Sequence, residues 1–251
     1  MKIVVIGGTG LIGSQLVAQL QPTGHEVVVA SPNTGVNTLT GEGLAAVLQG
    51  ATVVVDVSNS PSFEDTAVMN FFRTSNGNLL AAEKAEGVQH HVALSVVGTR
   101  QLQESGYFRA KQVQEDMVEA SGIPYTIVHA TQFFEFAGGI AQMSLVDGKL
   151  VLPAANIQPI ASKDVAFFMA QATLAAPANK ILEIGGPEPL DMSAWMGQYL
   201  QATGKSMEIV TDEQALYSGA KIGTNTLLPQ AAVFLGTTNY AGWIAIPGNQ
   251  R

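Results

Sequence analysis

The sequence of 251 residues contains no cysteine, which excludes disulfides, thiolate zinc sites and cysteine nucleophiles. Basic residues are scarce: 12 Lys and Arg stand against 20 Asp and Glu, a net charge of −8, so the basic footprint of a general nucleic-acid-binding protein is missing. No apolar run reaches the roughly 18–20 residues that a membrane helix requires. We therefore expect a cytoplasmic monomer or homodimer that acts on a small-molecule substrate and uses neither nucleic acid, membrane nor metal.

Apolar residues make up 47% of the chain and charged residues 13%, which supports a sizeable core and excludes disorder as the main state. Runs rich in β-branched residues alternate with stretches of helical spacing, so we predict right-handed βαβ units and a doubly wound parallel sheet. Strands are predicted at 2–6, 26–30, 52–57, 90–95 and 125–129, with a very short one at 35–38, and helices at 11–21, 43–48, 64–86 and 107–120. After residue 133 the pattern loosens, and elements are predicted only at 149–152, 162–174, 181–185, 192–202 and 212–218.

A glycine-rich turn separates the first predicted strand from the first predicted helix. Gly7 permits the tight turn, Gly10 lets a pyrophosphate approach the backbone, and Gly13 lets the helix pack close to the strand. The helix N-terminus adds free N–H groups and a partial positive charge for phosphates. The cofactor-binding residues predicted here are Gly7, Thr9, Gly10, Leu11, Ile12 and Gly13, and the alternative is a purely structural turn. The context favours an α/β fold of the Rossmann type.

The end of the second strand normally selects the cofactor. An acidic residue there binds the ribose hydroxyls of NAD, whereas an Arg accommodates the 2′-phosphate of NADP. This sequence has neither, but Ser31 and Asn33 offer hydrogen-bond donors to a phosphate. We therefore favour NADP(H) and keep NAD(H) as acceptable, because the same residues also suit a simple turn.

A tyrosine and a lysine lie four residues apart, Tyr107 and Lys111, on one face of a predicted helix. A Lys ammonium near a phenol lowers the tyrosine pKa, so Tyr107 can exchange a proton with a carbonyl–alcohol pair while hydride moves to or from a nicotinamide. Ser95 ends the preceding strand, where a parallel sheet presents its ligand crevice, and can hold the substrate oxygen. Lys111 can also bind the nicotinamide ribose. The alternative is an ordinary surface Tyr and Lys.

Together these residues resemble the short-chain dehydrogenase/reductase superfamily, and more closely its atypical, NmrA-like NAD(P)H-binding branch. The resemblance covers most of the chain and is carried by residues 7–13, the Ser95, Tyr107 and Lys111 set, and the segments 122–128, 160–166 and 185–188. It implies the sheet order 3-2-1-4-5-6. It also implies that Val57 and Ser58 begin a loop under the cofactor, and that Asn37 lies near the adenine where many relatives have Asp.

An aromatic segment follows the strand predicted at 125–129. We predict that it contacts a flat or apolar substrate through His129, Gln132, Phe133 and Phe134. The alternative is that these Phe side chains join the core and that the lone His is structural.

These observations lead to one functional hypothesis and two alternatives. We predict an NAD(P)H-dependent oxidoreductase that transfers hydride to a carbonyl or quinone-like, possibly aromatic substrate. Residues 1–132 form its dinucleotide-binding core, and residues 133–251 form a smaller substrate-binding lobe interleaved with that core. The first alternative is a redox sensor that binds NAD(P) without turnover, and the second is a sugar-nucleotide epimerase or dehydratase.

Overall fold

A seven-stranded parallel sheet forms the centre of the computed structural model, which describes residues 1–250. The predicted α/β fold is thereby confirmed. The sheet strands are β1 (Lys2–Ile6), β2 (Glu26–Ala30), β3 (Val53–Asp56), β4 (His90–Val96), β5 (Tyr125–Ala130), β9 (Ile181–Gly185) and β12 (Ala232–Leu235). They lie side by side in the order β2-β1-β3-β4-β5-β9-β12, and each neighbouring pair is parallel.

Helices cover both faces of this sheet, as expected for strands that are apolar on both sides. The helices are α1 (Leu11–Leu20), α2 (Leu44–Leu48), α3 (Asp65–Glu86), α4 (Gly106–Ala120), α5 (Ala137–Met143), α6 (Ser162–Leu174), α7 (Met192–Thr203) and α8 (Tyr240–Ile244). Helices α1 and α6 pack on one face against Val5, Val55 and Val128. Helices α2, α3 and α4 cover the other face, where Val54 and Ile127 point.

The chain after α5 builds a second apolar core beside the sheet. It holds the short strands β6 (Leu145–Val146), β7 (Lys149–Leu152), β8 (Asn156–Ile157), β10 (Leu190–Asp191) and β11 (Ile209–Thr211), which form a three-stranded and a two-stranded sheet. Trp195, Phe134 and Tyr240 pack together at its centre. Strands β9 and β12 return from this part of the chain to extend the main sheet.

Two predicted elements do not form. The expected strand at 35–38 is wrong, because Gly35 adopts a left-handed φ of +79° and Asn37 makes only an isolated antiparallel bridge with Glu42. Strand β2 is therefore the edge of the sheet, and the implied order 3-2-1-4-5-6 lacks its outermost strand. The expected helix at 212–218 is also wrong, since Tyr217 and Ala220 pair across a turn.

Among the helices of residues 1–250, none combines the length and the apolar character that crossing a bilayer requires.

Candidate functional site

A cleft of about 1020 Å³ opens beside the glycine turn and the carboxyl ends of the central strands. This is where parallel sheets bind ligands. The cleft gathers most of the predicted site residues: Gly7, Thr9, Gly10, Leu11, Ile12, Ser31, Asn37, Val57, Ser58, Ser95, Tyr107, Lys111, Gln132 and Phe133. The two halves of the prediction, the glycine turn and the tyrosine–lysine pair, therefore face one space.

Backbone rather than side chains shapes the glycine turn. Gly7 has a φ of +76°, and a Cβ there would lie 2.9 Å from Ser58 Cα. A Cβ on Gly13 would lie 2.2 Å from the carbonyl oxygen of Gly7, so α1 packs too closely for any other residue. Among residues 1–250, no side chain caps the N-terminus of α1 at Gly10. Its first N–H groups are thus left to an anionic ligand.

Some of the residues after β2 line the cleft and others do not. Ser31 is buried in the cleft wall, and within residues 1–250 its Oγ has no hydrogen-bond partner. Asn33 is exposed and lies outside the cleft lining, so its predicted cofactor contact is not present here. Thr34 Oγ1 accepts from the Ser31 N–H at 2.9 Å. Asn37 lines the cleft, and its Oδ1 accepts from the Leu39 N–H.

The phenol of Tyr107 lies half-buried in the cleft, with its hydroxyl 3.5 Å from Asn59 Oδ1. Its ring contacts Phe63 at a centroid distance of 5.4 Å. Burial raises the pKa of Tyr107 to about 12. The phenol is consequently protonated at neutral pH, which suits a proton donor better than a base.

The ammonium of Lys111 is buried, and its contacts are with neighbours other than a substrate. Its Nζ donates to the Leu94 carbonyl at 2.9 Å and to Gln114, and it lies 4.6 Å above the ring of Phe72. Burial lowers the pKa of Lys111 to about 8, although the charges of Asp56 and Glu115 oppose this shift. In this structure desolvation raises the pKa of Tyr107, and a pKa-lowering role for Lys111 stays a prediction.

Ser95 reaches the cleft but is engaged by a buried carboxylate. Its Oγ donates to Glu115 Oε1 at 2.5 Å, and His129 Nε2 lies 2.8 Å from the same oxygen. In this structure the Ser95 hydroxyl proton therefore goes to Glu115, and the role of Ser95 toward a substrate oxygen stays a prediction. His129 points to this pair rather than into the cleft, so a substrate contact is not supported.

The aromatic segment after β5 is split between cleft and core. Gln132 and Phe133 line the cleft, and within residues 1–250 neither polar atom of the Gln132 side chain has a partner. Phe134 is 1% exposed and packs against Tyr240 and Trp243 in the second core, outside the cleft lining, as the alternative interpretation of this segment expects.

Several cleft residues escaped the sequence reasoning. They are mostly apolar or aromatic and come from separate parts of the chain: Asn59, Phe63, Phe71, Met143 and Tyr217. Phe136 stacks on Phe133 at 5.2 Å. Phe136, Met143 and Phe63 are exposed by 46%, 66% and 64%. The sequence marks Phe63 only as an isolated Phe shortly after the turn-forming residues 58–61.

A family model described as NAD(P)H-binding matches residues 7–176, most of the chain. The chain belongs to the NAD(P)H-binding family. This match confirms the predicted NAD(P)H-binding family. The glycine turn fits such a cofactor, because it lines the cleft and the N-terminus of α1 beside it has no side-chain cap among residues 1–250. The turn, Ser31 and Lys111 are the residues positioned to hold it.

Two curated proteins are among those similar to this NAD(P)H-binding chain. The photosystem II assembly factor Ycf39 of Cyanophora paradoxa is 26% identical over 178 residues, with 65% of this chain and 56% of that protein covered. The divinyl chlorophyllide a 8-vinyl-reductase of Cucumis sativus is 28% identical over 229 residues, with 74% and 53% covered. The chain thus spans a little more than half the length of these curated relatives.

Solved structures share the whole fold. A nucleoside-diphosphate-sugar epimerase from Staphylococcus aureus superposes with a TM-score of 0.75 at 17% identity, covering 98% of this chain and 100% of that one. At this identity the similarity concerns the fold alone.

Proposed function

We propose that this protein is an NAD(P)H-dependent reductase of a flat, largely apolar carbonyl or quinone-like substrate. The observation that carries the proposal is the continuity of one cleft, which is lined by the glycine turn at one end and by Tyr107 at the other. A reduced nicotinamide bound there supplies hydride. A role as a reductase also agrees with the name of one group of curated relatives.

Tyr107 is the proton donor in this proposal. Its pKa near 12 keeps the phenol protonated, so it can donate to a substrate oxygen that gains negative charge. Reduction is therefore favoured over alcohol oxidation, which needs a phenolate base. Lys111 is held by Leu94 and Gln114 beneath the same cleft, where its positive charge attracts an anionic nucleotide.

The two aromatic walls favour a flat substrate. Phe63 and Phe71 lie on the side of α3, and Phe133 and Phe136 lie on the side of α5. Offset stacking on such rings adds to the burial of an aromatic surface. The unpaired amide of Gln132 gives the otherwise apolar end one polar contact. We accordingly propose that residues 1–132 bind the nucleotide and that both parts of the chain hold the substrate, with Phe133 and Phe136 contributed by residues 133–251.

NADP(H) is our proposed cofactor, with NAD(H) accepted more weakly. The cleft wall after β2 has no acidic side chain among the described residues, so nothing there repels a 2′-phosphate. The free Oγ of Ser31 is available as a donor. No Arg or Lys of residues 1–250 lines the cleft at that point, which explains why the preference is modest.

The test is a fluorescence titration of the protein with NADPH and NADH, followed by a panel of quinones and of aromatic and aliphatic ketones. We expect binding of both nucleotides, tighter for NADPH, and oxidation that depends on at least one acceptor. Failure to bind either nucleotide would contradict the cofactor assignment.

A non-catalytic NAD(P)-binding sensor is the second candidate. Two observations favour it: the Lys111 ammonium donates to Leu94 and Gln114, and the Ser95 hydroxyl donates to Glu115. One group of curated relatives is named as assembly factors rather than enzymes. Nucleotide binding without oxidation across the whole panel would support this candidate over the reductase.

A further inference from the structure

Three buried polar side chains form a hydrogen-bonded chain beneath the floor of the cleft, between β3 and α4. They are Asp56, Gln114 and Lys111, and their exposed fractions are 2%, 1% and 3%. Lys111 lines the cleft, whereas Asp56 and Gln114 lie behind it and are not among its lining residues. Charged groups buried this deeply are costly unless their hydrogen bonds are made. The three side chains are therefore stable in the core only as a set.

Gln114 joins the two charged groups in a single orientation. Its Nε2 donates to Asp56 Oδ2 at 3.0 Å, and its Oε1 accepts from Lys111 Nζ. A carboxylate only accepts hydrogen bonds and an ammonium only donates them, so turning the amide by 180° would break both contacts. The carboxylate of Asp56 thus decides which end of Gln114 faces Lys111.

The other oxygen of Asp56 holds the loop beside the glycine turn. Asp56 Oδ1 accepts from the Ser58 N–H at 2.9 Å. The backbone of Ser58 is also what a Cβ on Gly7 would meet at 2.9 Å, and both Ser58 and Gly7 line the cleft. One buried carboxylate therefore fixes the loop after β3 against the turn and, through Gln114, the ammonium of Lys111.

We infer that Asp56 and Gln114 are positioning residues of the nucleotide site, which fix the Lys111 ammonium beneath the cleft and keep it charged. The inference rests on the proposed function, in which that charge attracts an anionic nucleotide. Neither residue needs to touch the nucleotide. Without the carboxylate, the amide of Gln114 is free to turn its donor end toward Lys111. The ammonium then loses a hydrogen-bond acceptor as well as a counter-charge.

Burial and the surrounding charges act on Lys111 in opposite directions. Burial lowers its pKa to about 8, and the charges of Asp56 on β3 and Glu115 on α4 oppose that shift. Helix α3 faces the ammonium with the uncharged ring of Phe72. The carboxylate of Glu115 is also bonded to His129 at 2.8 Å. We therefore expect the loss of Asp56 to have the larger effect on the charge of Lys111.

The first test measures the titration of Lys111 in the nucleotide-free protein. In Asp56→Asn the carboxylate becomes an amide of the same shape that no longer orients Gln114, so the pKa of Lys111 should fall by about one unit. NMR of the lysine ε-carbons measures this pKa, and the Lys111 signal is identified by its absence in Lys111→Met. An unchanged pKa in Asp56→Asn would overturn the inference.

A compensating double variant separates the proposed contacts from a general disturbance of the core. Asp56→Asn combined with Gln114→Glu moves the carboxylate next to Lys111, while the amide at position 56 donates to it and still accepts from the Ser58 N–H. The pKa of Lys111 should return to the wild-type value or rise above it. A value below that of wild type would overturn the inference, and this result is decisive even if the single variant does not fold.

Nucleotide binding gives the second readout. At about pH 6.5 Lys111 is charged in both proteins, so Asp56→Asn should bind NADPH as tightly as wild type, whereas at about pH 8 it should bind about twofold more weakly. Equal weakening at both pH values would show a structural role and overturn the inference. Asp164→Asn is the matched control, because this buried carboxylate also accepts from a backbone N–H, that of Thr238, but lies outside the cleft lining.

The two experiments distinguish failure of this inference from failure of the proposed function. A wild type that binds neither NADPH nor NADH would contradict the proposed function and this inference with it. A wild type that binds NADPH, together with an Asp56→Asn variant that keeps the wild-type pH profile, would overturn this inference alone.

Discussion

The two ends of the cleft are built in different ways. The nucleotide end is backbone: the turn at Gly7 and Gly13 leaves no space for a Cβ. The substrate end is side chain, with Phe63, Phe136 and Met143 exposed at its mouth. A site formed by backbone atoms can bind the same ligand in proteins of different sequence. A site formed by side chains changes its specificity when single residues change. We therefore expect mutations at the first end to be severe and at the second to be graded.

The largest effect should come from Gly13→Val. Its Cβ would lie 2.2 Å from Gly7 O and 2.6 Å from Gly8 Cα, so α1 or the turn must shift. We expect a loss of roughly 1–3 kcal/mol in the free energy of unfolding and no detectable NADPH binding. Chemical denaturation and fluorescence titration measure the two effects. Gly77→Ala, at a helical glycine with only Met117 Cε at 3.7 Å, is the control that should bind normally.

Tyr107→Phe tests whether the phenol at the substrate end of the cleft takes part in the reaction. It should lower the turnover number by about 100-fold through loss of the proton donor, while the dissociation constant for NADPH stays unchanged. Tyr125→Phe serves as the matched control, because Tyr125 begins β5 and does not line the cleft. Wild-type turnover in the Tyr107 variant would remove that residue from the chemistry.

Ser31→Asp asks whether the nucleotide end can be switched by one side chain. A buried carboxylate at this wall would repel a 2′-phosphate and accept from ribose hydroxyls. We expect the affinity ratio of NADPH to NADH to fall by about tenfold, equivalent to ~1.4 kcal/mol. An unchanged ratio would place the 2′ position away from Ser31.

Raising the pH should weaken nucleotide binding modestly. The pKa of Lys111 is about 8, so its ammonium predominates below that pH and loses its charge above it. The attraction for the anionic nucleotide should therefore decline between pH 7 and 9.5, by about three- to fivefold in the dissociation constant. Lys111→Met should bind more weakly at pH 7 and show a flat profile. A pH dependence that persists in this variant would assign it to another group.

Phe136→Ala should give the smallest effect. It removes one exposed ring that stacks on Phe133, so KM for an aromatic ketone should rise about threefold, which corresponds to ~0.6 kcal/mol of stacking. NADPH affinity should not change. A large loss of nucleotide binding would show that the two ends are not separable.

The same contrast explains what the sequence could predict. Buried strands and Gly7, Gly10 and Gly13 carry strong local patterns, so the sheet and the turn were predicted closely. The substrate wall depends on which side chains meet after folding, and Phe63, Phe136 and Tyr217 have no common spacing. The strand predicted at 35–38 does not form, because Gly35 adopts a left-handed conformation that a strand does not allow.

Tertiary burial also decided the roles of individual predicted residues. Their position in the sequence placed His129 and Phe134 at the end of a strand and in the loop after it. In the structure, His129 hydrogen-bonds the buried carboxylate of Glu115, and Phe134 packs in the second apolar core. Strand β12 is exposed at three of its four positions, so its composition gave no pattern to recognise.

The most direct test of the account is to load the wild-type protein with NADPH, remove unbound nucleotide by gel filtration, and add each acceptor while following the fluorescence of the bound nicotinamide. We predict that the signal persists without an acceptor and disappears in a single phase with at least one quinone or aromatic ketone. Failure to retain NADPH, or bound NADPH that stays reduced with every acceptor, would contradict the claim that both ends of the cleft serve one reduction.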